Sequence, residues 1–346
     1  MKYRLILLLV AVFASLLSCN EDVIESAPNS VEKSDDVDVK PFMTDSVDVY
    51  IAGAVNLAGD QWRASYWKND SLYLLDENYS VAHDVVVLNG KVVAAGKYDG
   101  KPCLWRDGKR TMLDENRDGE VKAIGVLNGK LYLVGQLYET QTNFRAFIWT
   151  EGKMTFLNDF KGYASDIAFS GIDIYVSGMD SERPCYWKNG LKTELSSHFG
   201  HGYGIEVIGN DVYVGGEYRP SNGGYFLGGY WKNGSFQSSG NDCYIWNIGV
   251  DRGEVFLVGN GVVNTATDVA MLVAGSGKLV LDTPGRGLSG ANDIAFSLNN
   301  QYVLGTCSGT ASGEGAPRVC YWLNNKLHRV TDQKSLGVGI YLKSRK

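Results

Sequence analysis

Asp166-Ile167-Ala168-Phe169 is followed by Asp173-Ile174-Tyr175-Val176-Ser177-Gly178 and then by Arg183-Pro184-Cys185-Tyr186-Trp187-Lys188-Asn189-Gly190. Three short apolar runs, each followed by a turn or closed by glycine, fill this stretch, and the more polar Thr193-Glu194-Leu195 completes it. The phrase recurs seven times at a period of roughly 40 residues, so one supersecondary unit is stacked on itself. The first run reads Val85-Val86-Val87, Ile124-Gly125-Val126, Ile167-Ala168-Phe169, Ile205-Glu206-Val207, Ile248-Gly249-Val250 and Ile294-Ala295-Phe296. Large outer positions around a middle one that is usually small are strand alternation, with room left on one face for a neighbour. The second run reaches a glycine in every unit, at Gly53, Gly96, Gly135, Gly178, Gly216, Gly259 and Gly305. The third carries Trp67, Trp105, Trp149, Trp187, Trp231 and Trp322, with Val273 in the sixth unit. Asp107-Gly108, Asn189-Gly190 and Asn233-Gly234 then predict two-residue hairpin turns, because both residues tolerate positive φ. The fourth run is the most polar and is expected at the outer edge.

Seven units of four antiparallel strands predict an all-β fold, a seven-bladed β-propeller. The chain ends decide how it closes. The first unit begins at Asp48-Val49-Tyr50-Ile51-Ala52-Gly53, already the second run, and Gly337-Val338-Gly339-Ile340-Tyr341-Leu342 at the far end matches the missing first run column for column. The C-terminal strand should therefore complete the first blade and remove two open sheet edges. A solenoid of hairpins would need polar capping units, and none is visible.

Ahead of the repeats, Lys2 and Arg4 precede the apolar segment Leu5–Leu17, and Leu16-Leu17-Ser18-Cys19 closes it. The span is short for a transmembrane helix and reads as an export leader. Its last four residues resemble a bacterial lipobox, which implies residues 1–18 as signal peptide and Cys19 as the lipidated first residue of the mature chain. Residues 19–44 are acidic and lack apolar periodicity, as a solvated tether should. Residues 45–346 are then the propeller. Asn20-Glu21-Asp22 resembles the acidic export signals of Bacteroidetes-type surface lipoproteins, implying the cell envelope and an outer-membrane anchor, on the surface or periplasmic side. A formal charge of −6 without a long basic run argues against nucleic acid as partner. Cys103, Cys185 and Cys320 share one repeat column, where Ser65, Phe147 and Gly229 stand in other units. Equivalent positions in separate units lie far apart, so these read as small buried thiols and not as bridges.

Arg145-Ala146-Phe147-Ile148-Trp149-Thr150-Glu151-Gly152-Lys153-Met154-Thr155 resembles the extracellular HAF repeat, built on an Ala-Phe-Leu-Trp phrase followed by Gly and Met. Other units keep Trp-x-x-Gly but replace Ala-Phe by Pro-Cys or Ala-Ser. The resemblance implies an extracellular propeller and brings no catalytic residues.

The first strand should line the central channel, and its start should share a face with the loops between second and third strands. That face would carry His83, Asp84, Lys122, Asp166, Tyr203, Trp246, Asn247, Asn292 and Asp293, rimmed by loop aromatics such as Tyr138, Tyr218 and Phe226. Polar groups around a hole with an aromatic rim make a binding platform. Of the four histidines, only His83 falls near the expected channel. Asp114-Glu115-Asn116-Arg117-Asp118-Gly119 resembles the start of a calcium loop, with Asp114, Asn116 and Asp118 as ligands. The final bidentate Glu is replaced by Gly125. No other cofactor is indicated.

The function expected is a non-catalytic envelope lipoprotein that binds a glycan, peptide or envelope protein at the channel mouth and touches the membrane only through its lipid. A glycan hydrolase or lyase using channel carboxylates and a structural subunit of an envelope complex are the alternatives.

Overall fold

The computed structural model describes residues 47–57, 61–220, 225–240, 243–263, 266–275, 277–281, 289–308 and 315–345. The leader, the tether and Cys19 lie outside them. Twenty-eight strands form seven four-stranded antiparallel sheets, the blades of a propeller ring. Blade 1 unites Val47–Asn56, Trp62–Lys68 and Ser71–Leu74 with the C-terminal strand Ser335–Ser344. Val47 pairs with Ser344 and Val55 with Ser335, so the expected closure is present along the whole strand. Blades 2 to 7 follow in chain order, their first strands being Ser80–Leu88, Gly119–Leu127, Gly162–Ser170, Gly200–Ile208, Cys243–Asp251 and Ser289–Ser297.

Core packing follows the repeat. Trp67, Trp105, Trp187, Trp231 and Trp322 are at most 1% exposed, and Val273 takes their place in blade 6. In blade 3 Phe147 fills the deep position and Trp149 packs against it half-buried. The fourth strand is the solvated edge, with all of Leu191–Glu194 exposed. Hairpins turn where expected, with positive φ at Asp107-Gly108, Asn189-Gly190 and Asn233-Gly234. Cys103, Cys185, Cys243, Cys307 and Cys320 are free and buried.

One irregularity recurs in all seven blades. The first strand carries an extra residue opposite the second, a β-bulge, and the extra residues are Val338, His83, Lys122, Ser165, Tyr203, Trp246 and Asn292 from blade 1 to blade 7. A bulge bends its strand and re-aims a side chain. It also explains the second-strand glycines. A Cβ on Gly178 would lie 2.0 Å from the carbonyl oxygen of Tyr163, one on Gly96 2.0 Å from that of Val81, and one on Gly259 1.8 Å from that of Tyr244. The kinked strand drives a carbonyl against the neighbouring backbone, and only hydrogen fits between.

Candidate functional site

The bulges sit at the starts of the first strands, which register against the ends of the second strands, so all seven extra residues face one mouth. Together with the next column, Gly339, Asp84, Ala123, Asp166, Gly204, Asn247 and Asp293, they wall a central cavity of about 1020 Å³. All nine residues expected from the sequence line it. The geometry divides them by task.

Inner strands have no partner on the channel side, so their N–H groups need acceptors. Asp84 accepts from Val85 N (2.7 Å) and, across the blade boundary, from Ile124 N (2.8 Å). Asp166 accepts from Ile167 N and from Ile205 N of blade 5. Asp293 accepts from Ile294 N and from Ile340 N, which joins blade 7 to blade 1. In blade 6 Asn247 accepts from Ile248 N and donates its amide to Asp293 Oδ1 at 2.6 Å. An amide suits that place because it faces one donor and one carboxylate, whereas Asp84 and Asp166 face two donors each and Asp293 three. Small residues receive these side chains: a Cβ on Gly204 would be 1.9 Å from Asn247 Oδ1.

Three bulged side chains staple blades as well. His83 Nδ1 donates to Val121 O at 2.7 Å, Ser165 to Gly202 O at 3.0 Å and Asn292 to Gly337 O at 2.7 Å. Lys122, Tyr203 and Trp246 are the polar or aromatic bulged residues that remain directed at the cavity.

Burial sets the charge of the wall. Desolvation raises Asp84 to about 7 and Asp166 to about 6, against the backbone hydrogen bonds that lower them. Desolvation likewise raises Asp293, with the charges of Asp84 and Asp166 adding to it. Glu206, which with Tyr341 is a large member of a mostly small middle column, also lines the cavity, and desolvation lifts it to about 7. His83 is pushed down to about 4, chiefly by desolvation, and is neutral at pH 7.

The mouth is not seven-fold alike. Blades 4 to 6 carry an aromatic arc. Tyr203 meets Trp246 edge-on at 5.2 Å, Trp246 stacks with Tyr244 at 6.5 Å, and His201 stacks over Tyr203 at 5.7 Å. Tyr163 hydrogen-bonds His201 Nδ1 at 2.7 Å, while Phe199 and Phe226 pack on the same imidazole. Trp246 and Tyr244 keep 37% and 47% of their surface exposed. Behind this arc, Glu217 pairs across the strands with His201, is 5% exposed and is lifted by desolvation to about 7. Among the described residues its Oε2 has no hydrogen-bond partner, and neither has Asn260 Oδ1 in the same column of blade 6. Asn260 Oδ1 is an acceptor lacking a donor, and so is Glu217 Oε2 in its ionised form. Blades 2 and 3 are charged instead, around Glu120. Blades 7 and 1 present the small and apolar Gly290, Leu336 and Val338.

His201 corrects the expectation that only His83 stands near the channel, because its strand already begins at Gly200 and brings His201 to the cavity wall. Tyr163, Ser165, Glu120, Glu206 and Glu217 were also missed. Their signal was available: Tyr163, Ser165, Glu120 and Glu217 lie opposite or beside the second-strand glycine, and Glu206 stands three residues after the bulged Tyr203.

The acidic loop in blade 3 is organised by arginine. Asp114 Oδ1 accepts from Asn116 N and Arg117 N, and its Oδ2 takes two bonds from the Arg117 guanidinium, at 3.0 and 2.8 Å. Asp118 pairs with Lys101. The Asp114 carboxylate is thus engaged by its own loop and by Arg117, and Asp118 by Lys101.

No family model and no curated protein matches the chain. Among solved structures it is similar to a puromycin-hydrolysing peptidase of Mycobacterium tuberculosis, with a TM-score of 0.51 at 9% identity over 82% of this chain and 52% of that one. It is also similar to extracellular domains of Drosophila Semaphorin 1a (TM-score 0.33, 10% identity, 70% and 53% covered). For Drosophila Plexin A in complex with Semaphorin 1b the values are 0.30, 10%, 69% and 51%. The chain spans about half the length of each. The likeness to the peptidase is one of fold.

Proposed function

We propose that the protein is a cell-envelope lipoprotein whose propeller binds a glycan at the channel mouth without transforming it. The observation that carries this reading is the aromatic arc of Tyr203, Trp246 and Tyr244, with partly exposed rings beside two buried oxygens, Glu217 Oε2 and Asn260 Oδ1, that have no hydrogen-bond partner among the described residues. Aromatic faces cover the C–H faces of sugar rings, and hydroxyl groups supply the donors that buried acceptors require. A cavity of about 1020 Å³ admits an oligosaccharide end. A peptide or a protein loop is the competing ligand class. The lipobox-like Leu16–Cys19 and the HAF-like phrase of blade 3 support an exported, lipid-anchored protein at the outer membrane.

A hydrolase or lyase built on Asp84, Asp166 and Asp293 is disfavoured, because both oxygens of each are engaged by backbone N–H groups. Acid–base chemistry in this cavity would fall to Glu206 and Glu217.

A glycan array probed with the wild type and with Tyr203→Ala/Trp246→Ala tests the reading. The wild type should capture a defined set of glycans, and the double variant, folded by circular dichroism, should lose affinity by about tenfold or more. Capture that survives both substitutions would remove the mouth from consideration.

A further inference from the structure

Glu120, in the first strand of blade 3, is 9% exposed. Its two oxygens gather two ammonium groups, Lys122 Nζ at 2.7 Å and Lys97 Nζ at 3.3 Å. Gln136 Nε2 donates to Glu120 Oε1 at 3.1 Å and to Tyr138 Oη at 3.0 Å, which fixes the carboxylate from the side. His83 Nε2 stands 3.7 Å away and is neutral at pH 7. Burial opposes ionisation of Glu120, yet His83 in its charged form, then Lys122 and Lys97, hold it down at about 2, so at pH 7, with His83 neutral and the lysines charged, it stays a carboxylate. Asp118 and Glu139 of the adjoining loop are paired with Lys101 and with Arg145 and Arg117, so two ammonium groups against the Glu120 carboxylate leave one positive charge over. Lys122 and Lys97 remain 38% and 31% exposed, so that surplus is open to a ligand. Lys122 shares the wall of the central cavity with Tyr203 and Trp246, while Lys97 and Glu120 border an adjoining recess of about 650 Å³.

Resting on the glycan reading above, we propose that this cluster is an anion subsite of the same mouth and that the glycan bound there is an acidic one. One sugar ring of the chain lies on Tyr203 and Trp246, and the carboxylate of another sugar unit lies on Lys122 and Lys97. Glu120 is itself the precedent for the chemistry: the two ammonium groups already converge on one carboxylate, and charge-assisted hydrogen bonds of this kind are the strong ones. A carboxylate-bearing sugar joins hydroxyl donors, an apolar ring face and one negative charge, which are the three complements this mouth offers. Glu120 is a positioning residue that holds the lysines at fixed places and sets the size of the surplus.

The test is an array on which each uronate-containing oligosaccharide is printed beside its carboxyl-reduced, neutral counterpart, with polyglutamate as a peptide control. The full-length protein should bind acidic members about tenfold better than their reduced partners, and less tightly at high salt. Lys122→Gln leaves Lys97 to balance Glu120 and should erase the preference. Glu120→Gln doubles the surplus charge and should strengthen it, an opposite sign that a merely structural role would not produce. Equal binding to both members of a pair overturns the anion subsite and leaves the glycan reading standing. Binding to neither overturns both. Polyglutamate captured as tightly as the uronates overturns the sugar ligand.

Discussion

At Asp166 one carboxylate accepts two backbone N–H groups, from Ile167 in its own strand and from Ile205 in the next blade, at 2.7 and 3.0 Å. Its column could be read from the sequence, because Asp84, Asp166, Asn247 and Asp293 stand at one place in the repeat. Its task could not, since a ligand-facing acid and a backbone staple look alike until the partner strand is placed. Burial raises Asp166 to about 6 and Asp84 to about 7, so the folded state holds these protons more tightly than the unfolded chain does. Their stabilisation is complete below about pH 4 and is lost as pH rises through 6 to 7. Glu206 and Glu217, raised to about 7, add to the same trend. His83 and His201, both lowered by burial, oppose this trend up to about pH 6.5, but four carboxyls outweigh two imidazoles and the melting temperature should fall between pH 5 and pH 7.5. Asp166→Asn should flatten that slope by on the order of 2 kcal/mol. It should also lower stability at pH 7 by about 1–3 kcal/mol, because an amide offers one acceptor where two donors point. Calorimetry across pH measures both, and an unchanged slope would show that this carboxyl does not titrate in the window.

Along each first strand the bulge is the element that makes the site. The seven glycines were legible as a column, and so was the turn chemistry of Asn189-Gly190 and its relatives. The reason for the glycines was not legible, because it is a contact between strands: the carbonyl of Tyr163 approaches the Gly178 Cα too closely for any side chain. Once the bulge is known, the extra residue in each blade is the one re-aimed toward the mouth, and Ser165 and Val338 join the set the sequence had supplied. Gly178→Ala should therefore cost about 2 kcal/mol or more, since the obstructing atom is backbone and cannot swing aside. Gly190, whose added Cβ would meet nothing within 4 Å, is the control for a change outside the bulge. Its φ of 84° makes alanine strained, so Gly190→Asn, a residue that tolerates positive φ, is the better comparison. Chemical denaturation of the two variants checks this; equal losses would show that the glycine column has no special tie to the bulge.

Over the whole ring, stability depends on one long-range pairing that the two chain ends announced in advance. Strand Ser335–Ser344 supplies the inner strand of blade 1, sets Ile340 opposite Ile51 in a core cluster that also holds Val47 and Val55, and offers Ile340 N to Asp293 of blade 7. Arg345 reaches Asp48, and His328 at the edge of blade 7 meets Asp70 of blade 1 at 2.9 Å, so charged groups cross the seam at other points. Surface pairs of that kind contribute little by themselves; the strand is what closes the circle. The asymmetry of the mouth depends on it too, because blades that carry aromatics, charges and small residues keep their places only in a closed ring. Deleting residues 335–346 removes the buried Ile340 and exposes the edge of Val47–Asn56, so the loss should reach about 4 kcal/mol or more, well beyond that of a frayed tail. A synthetic peptide of residues 335–346 added in trans should restore much of it by re-forming the fourth strand of the blade. A truncated protein that melts at the wild-type temperature would rule out this closure.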